Sequence, residues 1–504
     1  MERQATQFDN HAIRIARGPS RVVSAVLLTF TLGACVNSAG LAPVGKLADP
    51  TALHATQSLA GTAATTWPAA DWWTGLNDPQ LNALIDEALA GNPDLASAEA
   101  RARDAQAQVT AANARRMPTV TANGNFVGQR QSGTVFSEDE GGGFFYHTRE
   151  LNLGFNWDLD LWGGRRAAWV AALGEARAAQ VDAQAARIVL SVNVARAYAN
   201  LHYAYAQQDV ADAEFHRADD ALDLTRQRVG RGLDNRAQLK QADSEVATAV
   251  QQQALAARAV DSARIALAVL LGAGPDRGLS IARPAALPVA ALAVPAALPA
   301  ELLGRRADIV AARWRVEAAS KNIDSAKTDF LPNVSLAAMI GLATRGGASL
   351  FQAASREYRI APAISLPLFD GGALRGNLAH RDAQYDLAVA QYNKTLIGAL
   401  GEVTDALHGL RSLSLQVDAQ QRALDAATEA WQLADQRYRA GVGSYLDALT
   451  VRQQLLDADR QMAALRAQQI DLSLQFVGAL GGGFRPATDD TALAAASSSS
   501  SSRQ

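Results

Sequence analysis

The sequence predicts an α+β fold that is internally duplicated, in which each half is a helix, a pair of strands and a long helical hairpin. Residues 92–121 and 306–335 are two copies of one pattern. Equivalent positions in the two copies are 214 residues apart, as for Pro118 and Pro332 (332 − 118). A repeated unit of roughly 200 residues is too long for a solenoid repeat. Two domain-sized halves are therefore expected.

Each copy changes from a helical to a strand pattern at its proline. Proline cannot continue a helix and restricts the residue before it to extended backbone, so a strand is predicted to start after Pro118 and again after Pro332. The strand pairs are predicted at 119–130 with 150–161, and at 333–342 with 358–368. One strand alternates strictly, which puts its apolar side chains on one face. These are Leu151, Leu153, Phe155, Trp157, Leu159 and Leu161.

Four strands of about ten residues each have the length of membrane strands, and aromatic residues lie near their ends. Four strands cannot close a barrel, and an open sheet edge is not tolerated in lipid. Either the sheet is soluble or several chains pool their strands, in which case three chains would give twelve.

Long helices without proline follow each strand pair. They are predicted from Arg165 to about Val229 and from Ala373 to about Arg439, with return helices at about 237–271 and 445–480. The first helix has two apolar stripes on roughly opposite sides, whereas a helix on a globular surface has one. This pattern is typical of a helix packed between two neighbours, as in the wall of a tube. The stripes are Ile188, Val192, Ala195 and Ala199, and Leu190, Val194, Tyr198 and Leu201.

The N-terminus has the pattern of a signal peptide, a basic segment followed by an apolar run too short to span a bilayer. It ends in Leu32-Gly33-Ala34-Cys35, which resembles a bacterial lipobox and predicts lipidation of Cys35 after removal of residues 1–34. Cys35 is the only cysteine, so no disulfide forms within the chain.

The predicted organisation has six segments. They are a signal peptide at 1–34, a lipidated arm with little structure of its own at 35–75, a first repeat at 76–272, a Pro/Ala-rich connector at 273–300, a second repeat at 301–483 and a disordered tail at 484–504. In the arm, Trp67, Trp72 and Trp73 are interpreted as packing residues.

Composition and motifs argue against nucleic acid as a partner and against catalysis. The formal net charge is −3, so no polyanion-binding surface is indicated. The seven histidines have no metal-ligand spacing, and no glycine-rich phosphate loop opens a helix after a strand. Carboxylates fall mostly on helix faces beside Arg and Gln. The sequence predicts neither an enzyme nor a cofactor.

Several motifs, in order, resemble the TolC-like outer-membrane efflux proteins. They are the duplicated helix-proline-strand unit, WDLDLWGG at 157–164, LLGRRADIVAARWRVEAA at 302–319, SLPLFDGG at 365–372 and QRYRAGVGSYLDAL at 436–449. The lipobox makes the resemblance closest to the OprM/NodT-type lipoproteins that serve resistance-nodulation-division (RND) pumps.

This resemblance implies a homotrimer with a twelve-stranded barrel in the outer membrane, four strands per chain, continued by a long periplasmic helical barrel. It also implies a passive exit duct for drugs or other small toxic compounds. A periplasmic adaptor would join the duct to an inner-membrane RND pump.

The resemblance further implies roles for the turns at the periplasmic ends of the hairpins. Residues that match the family's adaptor-contacting turns are Arg231, Gly232, Leu233, Gly441, Val442 and Gly443. Leu446 and Asp447 match residues that ring a closed aperture, and the family's second acidic position is Thr450 here. An acidic ring of one carboxylate per chain is therefore expected, with Arg439 as a candidate partner and the turn around Asp234 as the alternative gate.

Two other functions remain open at this stage. A periplasmic coiled-coil adaptor also has long hairpins and often a lipobox, but it does not need two strand pairs with apolar faces. A duct for type I protein secretion is the other alternative, against which the lipobox argues weakly.

Overall fold

The computed structural model describes residues 37–487, apart from 50–51, 54–62, 65–66, 136, 138, 140–142, 289–292 and 295–303. Cys35 and the segment 1–34 therefore lie outside the described residues, as do 488–504 of the predicted tail 484–504. The start of that tail is predicted wrongly, because Phe484 is buried in a cluster with Val310. The helices are α1 Pro79–Gly91, α2 Pro93–Ala114, α3 Gly164–Gly230, α4 Arg236–Leu270, α5 Asp276–Leu279, α6 Ala307–Thr328, α7 Ala373–Arg439 and α8 Tyr445–Ala479. The strands of the main sheet are β1 Thr119–Arg130, β2 Phe145–Leu159, β3 Asn333–Arg345 and β4 Arg356–Ser365.

The duplication extends to the lengths of the helices. The helices before the sheet, α2 and α6, both have 22 residues. The first helices of the hairpins, α3 and α7, both have 67 residues, and the return helices α4 and α8 both have 35. The long helices thus repeat between the halves with identical lengths, as the internal repeat predicts.

The four strands form one antiparallel sheet in chain order, β1-β2-β3-β4. The register places Val120 opposite Phe155, and Leu153 opposite Ile340. Ile340 in turn lies opposite Tyr358. These five side chains lie on one apolar face of the sheet. The alternation of apolar and polar residues predicted within single strands therefore holds across all four strands. The opposite face carries Thr121, Asn123, Asn152, Glu150, Glu357 and Arg359.

Five strand ends differ from the prediction. β2 spans 145–159 and not 150–161, β3 ends at Arg345 and not at Leu342, and β4 spans 356–365 and not 358–368. β2 starts at Phe145 and not at Glu150, because 145–149 pair with the far end of β1, where Arg130 lies opposite Phe145. β4 ends at Ser365 and not at Leu368, because its partner strand β3 begins at Asn333, which lies opposite Ser365.

The contacts fall into two compact units, each described here by itself. In their described parts, the first consists of 37–44, 112–168 and 321–384, and the second of 45–111, 169–320 and 385–487. In the first unit, Trp162 Nε1 donates to Pro332 O at 2.7 Å, which links the end of one strand pair to the start of the other. Gly371 and Gly372 precede α7 with φ of +67° and +92°, as expected where the chain turns from strand into helix.

In the second unit, both predicted stripes of α3 are engaged. Val194 and Tyr198 are buried in the largest apolar cluster, to which α1, α4 and α8 also contribute. Ile188, from the other stripe, packs against a cluster containing Val310 and Phe484. Ala195 and Ala199 of that other stripe, however, lie in the first cluster with Val194 and Tyr198, so the two stripes do not face separate neighbours along their whole length as predicted. Trp72 and Trp73 pack against the first of these clusters, as predicted.

The N-terminal arm has more structure than predicted. Ala63–Ala64 pairs in parallel with Ala293–Val294 of the connector. Further upstream, Gly45 N donates to Asp386 Oδ1 and Ala48 N donates to Asn393 Oδ1, both at 2.7 Å. These partners lie too far away in sequence for a local pattern to reveal them.

Within the described residues, no helix combines the length and the apolar composition needed to cross a membrane.

Candidate functional site: the hairpin turns and the start of α8

The two hairpins end in turns with the same backbone geometry. Gly232 and Gly441 have φ of +72° and +79°, a conformation that favours glycine. Leu233 N donates to Arg228 O at 2.9 Å, and Val442 N donates to Arg437 O at 3.0 Å. Each hydrogen bond spans five residues and satisfies a carbonyl at the helix end. The turns are related by 209 residues (441 − 232), so the duplication is retained here as well.

The helix that follows each turn is capped at the equivalent position. The Asn235 side chain accepts from the N–H groups of Ala237 and Gln238, and Gln238 Oε1 accepts from Asn235 N. Ser444 Oγ accepts from Asp447 N at 3.1 Å. Such caps satisfy N–H groups that have no partner within the helix.

A buried carboxylate distinguishes the first turn from the second. Asp234 Oδ2 accepts from Arg228 Nε at 2.9 Å and from the Tyr438 hydroxyl at 3.0 Å, and the Asp234 side chain is 5% exposed. The Arg228 guanidinium carbon also lies 4.6 Å from the Tyr438 ring centroid. The first turn is thereby joined to α7 by charge-assisted hydrogen bonds.

The electrostatics of this network favour the charged form of the Arg228 guanidinium and the neutral form of the Tyr438 hydroxyl. Hydrogen bonding to Asp234 raises the pKa of the Arg228 guanidinium. Burial raises the pKa of the Tyr438 hydroxyl, and the bond to Asp234 adds to that effect. In the protomer, Arg228 and Tyr438 therefore shield the Asp234 carboxylate from solvent, and the role of this turn as the alternative gate stays a prediction.

The second turn has Gly443 in the place of Asp234 (443 − 234 = 209) and lacks this network. A Cβ at Gly443 would lie 3.2 Å from Arg437 Cβ and from Tyr438 N, which is tighter than ordinary packing. Arg437, the counterpart of Arg228, is exposed. The two turns therefore have the same backbone conformation, but different side-chain contacts stabilise them.

The predicted aperture residues share one exposed face at the start of α8. Leu446, Asp447 and Thr450 are all exposed, Leu446 by 57%. The opposite face is buried, because Tyr445 and Ala448 pack in a cluster with residues of α3, α4 and α7. The protomer thus supplies no contact that covers the aperture residues.

Arg439, the candidate partner of Asp447, pairs with a different carboxylate in the protomer. Its Nε lies 2.8 Å from Asp435 Oδ2, one helical turn earlier on α7. Whether Arg439 lies near a ring of three Asp447 carboxylates in an assembled channel stays a prediction.

The turn residues predicted to contact an adaptor are also accessible. Leu233 is 64% exposed and Val442 is 70% exposed. Arg231, Gly232 and Gly441 are exposed, and Gly443 is half-buried. Each hairpin therefore ends in an aliphatic side chain beside a glycine.

Sequence reasoning missed one feature of this site. Arg452 of α8 has a side chain that is only 4% exposed, and its Nη2 lies 3.2 Å from Glu214 Oε1 and 3.4 Å from Glu245 Oε2. The signal available was the seven-residue spacing of Tyr445, Arg452 and Asp459, which puts them on one helix face. From the sequence alone, an arginine on a helix face is interpreted as solvent-exposed, because its partners on other helices cannot be identified.

Among the described residues, no group of three or more His, Cys, Asp or Glu side chains could hold a metal ion.

The chain matches the family model described as outer membrane efflux protein over residues 84–273 and 298–482. It is 32% identical over 432 residues to the multidrug resistance outer membrane protein MdtP of Escherichia coli (strain K12), covering 84% of this chain and 88% of MdtP. It is 30% identical over 470 residues to the pyoverdine export outer membrane protein OpmQ of Pseudomonas putida, covering 91% of this chain and 96% of OpmQ.

The crystal structure of the outer membrane protein VceC from Vibrio cholerae has the same fold. It superposes with a TM-score of 0.77 at 36% identity, covering 83% of this chain and all of VceC. The family match includes both strand pairs and both hairpins, which favours a channel over a coiled-coil adaptor. The chain therefore belongs to the outer membrane efflux protein family and is an outer-membrane channel of an efflux pump.

Proposed function

We propose that three copies of this chain form the exit duct of a tripartite efflux pump, with twelve strands closing a barrel in the outer membrane. The observation that carries this proposal is the sheet with one apolar face and two free edges. Among the described strands, β1 pairs with β2 alone and β4 with β3 alone. Unpaired edge groups are costly in lipid, and pairing β1 of one copy with β4 of the next removes every edge.

The composition of the two sheet faces indicates which face would contact lipid in the barrel. Exposed apolar side chains, such as Ile340, Tyr358 and Ile360, lie on the face that would contact acyl chains. The polar face, with Asn123 and Asn152 in hydrogen-bond contact, would line water. Membrane barrels show this alternation along each strand.

The helical hairpins would continue the duct into the periplasm and end at its aperture. Leu446, Asp447 and Thr450 are exposed on the protomer, as expected for residues that meet their own symmetry copies. Three Leu446 side chains would form an apolar constriction. Three Asp447 carboxylates beside it would form the acidic ring.

The exposed turns would contact the periplasmic adaptor. Leu233 and Val442 offer apolar side chains at the two tips, and the glycine beside each leaves the backbone open to a partner. The adaptor would connect the duct to an inner-membrane RND pump, which supplies the energy for transport.

The substrates would be drugs or other small toxic compounds. MdtP is named for multidrug resistance and OpmQ for pyoverdine export, and both names refer to small molecules. Lipidation at Cys35 would add an anchor in the outer membrane. An unmodified Cys35 in mass spectrometry of the mature N-terminus would contradict that part of the proposal.

Two measurements test the proposed function. The purified protein is expected to form ion-conducting pores in planar bilayers. Together with a compatible adaptor and RND pump, it is expected to lower ethidium accumulation in a host that lacks its own efflux channels. Pores without efflux, combined with secretion of a protein substrate, would instead support a type I secretion duct.

A further inference from the structure

The charged side chains of the main sheet are divided between its two faces. The four strands contain three carboxylates, and all of them lie on the polar face: Glu150, Asp158 and Glu357. The apolar face has three charged side chains, and all of them are arginines: Arg130, Arg149 and Arg356. Wherever the apolar face is charged, it is therefore positive.

The three arginines lie at one end of the apolar face. Arg130 ends β1, Arg356 begins β4, and Arg149 lies near the start of β2. At this end β1 continues into β2 and β3 into β4, whereas the other ends of the strands adjoin helices. From Arg149 to Leu159, β2 rises about 33 Å along its axis, or about 25 Å in a barrel whose strands tilt by roughly 40°. This height matches the apolar band of a membrane barrel, so the arginines lie at the edge of that band.

Aromatic residues accompany the arginines at this level. Phe126 lies opposite Arg149, and Phe145 lies opposite Arg130. The centroid of the His147 ring is 5.1 Å from the ring centroids of both phenylalanines. Aromatic side chains are enriched where a membrane meets water. The cluster therefore marks the level of the lipid headgroups on this side of the bilayer.

Arg149 and Arg356 are spaced for a single anion. Arg149 lies opposite Thr344, and Arg356 lies opposite Leu342, two residues away on the same strand. The two arginines are thus offset by about 7 Å along the strands and by about 10 Å across them. Two arginine side chains that extend toward each other span this separation, so both guanidinium groups can bind oxygens of one phosphate. Within the described part of the chain, neither arginine pairs with a carboxylate.

A guanidinium beside acyl chains needs a polar partner. Long basic side chains at the edge of a membrane extend to the headgroups, where their charge is solvated. Phosphate suits arginine well, because the planar fork of donors matches its oxygens. In the outer leaflet of the outer membrane, phosphate groups are carried by lipopolysaccharide. No carboxylate of the four strands lies on the apolar face, so this surface is complementary in charge to those phosphates.

We propose that Arg149 and Arg356 form a binding surface for the phosphate groups of lipopolysaccharide. Arg130 lies farther toward the loop, where its Nε donates to Gly143 O at 3.0 Å, and its remaining donors extend the same surface. This inference rests on the proposed function, because it places this end of the sheet at the outer surface of the outer membrane.

The test is a competition between two forms of the same lipid. The purified full-length protein, in detergent with EDTA to remove divalent cations, is mixed with equal amounts of lipopolysaccharide lacking O-antigen and of its dephosphorylated form. Native mass spectrometry then counts the bound molecules of each. The phosphorylated form is expected to be retained at least about five-fold more, since only it offers charge-assisted hydrogen bonds to the arginines. This comparison uses the wild-type protein, so it does not depend on the folding of a variant.

Variants assign the preference to the two arginines. Arg149→Gln combined with Arg356→Gln is expected to abolish the preference and to leave pore conductance unchanged, because these side chains face away from the duct. Arg359→Gln is the matched control and is expected to retain the wild-type preference, since Arg359 is an exposed residue of the same strand on the polar face. Arg149→Lys combined with Arg356→Lys keeps both charges without the forked donors and is expected to give an intermediate preference.

The outcomes separate this inference from the proposed function. Equal retention of both lipid forms by a wild-type protein that conducts ions would overturn the lipid surface and leave the duct intact. An unchanged preference in the folded glutamine variant, or its loss in Arg359→Gln, would overturn the assignment to Arg149 and Arg356. Displacement of phosphorylated lipopolysaccharide by an equal concentration of phosphatidylglycerol would overturn the choice of lipid. A wild-type protein that forms no pores, yet keeps the arginine-dependent preference, would contradict the proposed duct and retain the lipid surface.

Discussion

Asp447 is the residue at which charge is expected to control passage. If three copies meet at the aperture, three carboxylates come close together, and like charges at short range favour bound cations. Asp447→Ala is therefore expected to lower the preference for cations over anions in planar bilayers, by roughly two-fold or more. Leu446→Ser is expected to raise conductance, because a polar side chain removes a dry constriction.

The control for this prediction must be a carboxylate without a structural role. Asp386 is unsuitable, because its Oδ1 accepts a hydrogen bond from Gly45 N. Asp276 is exposed and lies beyond the opposite end of α4 from the turn, so Asp276→Ala is expected to leave selectivity unchanged. If both aperture variants behaved as wild type, the constriction would have to lie elsewhere in the duct.

Asp459 provides a pH test of the packing between α8 and the first hairpin. Burial raises the pKa of this carboxyl, and Arg217 partly opposes the shift. Because the folded-state pKa lies above the unfolded one, the favourable contribution is fully present below the unfolded pKa, about 3.9, and is lost as pH rises through the folded pKa.

Asp459→Asn is therefore expected to unfold at a higher temperature than wild type at neutral pH. This difference should shrink as the pH is lowered toward 4, where the wild-type carboxyl becomes protonated. Circular dichroism melts in detergent across this range measure the effect. A difference that grows on acidification would show that the ionised carboxylate is the stabilised form.

At the scale of elements, the N-terminal arm and α7 form a testable contact. A Cβ at Gly45 would lie 2.9 Å from Asp386 Oδ1 and 3.1 Å from Asp386 Cα, so a larger side chain cannot fit without displacing the arm. Gly45→Val is expected to release the segment around Lys46, whose carbonyl accepts from Asn393 Nδ2 at 2.9 Å. Trypsin should then cut after Lys46 faster, on the order of ten-fold.

A glycine replacement elsewhere provides the comparison. At Gly75 an added Cβ meets nothing within 4 Å, so Gly75→Val should leave cleavage after Lys46 at the wild-type rate. Equal protection of Lys46 in the Gly45 and Gly75 variants would mean that the arm does not depend on this contact.

At the scale of the whole molecule, the open sheet predicts the oligomeric state. The edge strands β1 and β4 have 12 and 10 residues, and each leaves one side of its backbone without a strand partner. Native mass spectrometry in detergent is expected to give the mass of three chains. A monomer that retains its strand content would contradict the trimer and the closed barrel together.

The bounds of many helices and strands could be predicted from the sequence, because they depend on residues that lie close together in the chain. The strand at Thr119–Arg130 and the helix at Ala373–Arg439 were both predicted at the residues where the structure has them. Proline, glycine and side-chain periodicity act over a few residues, so they mark where elements begin and end and which face of a strand is apolar. The lengths of both hairpins follow from the same signals.

The tertiary structure alone decided which charges are buried and what they contact. Asp234, Arg452 and Gly45 look like ordinary surface or linker residues in sequence. Their partners, Tyr438, Glu214 and Asp386, lie roughly 200 to 340 residues away, and no short-range pattern records such pairs. The cost of burying a charge depends on the groups that surround it in space. The sequence thus determined the elements and their duplication, and three-dimensional packing determined which charged side chains of the two hairpins are buried and which partners they contact.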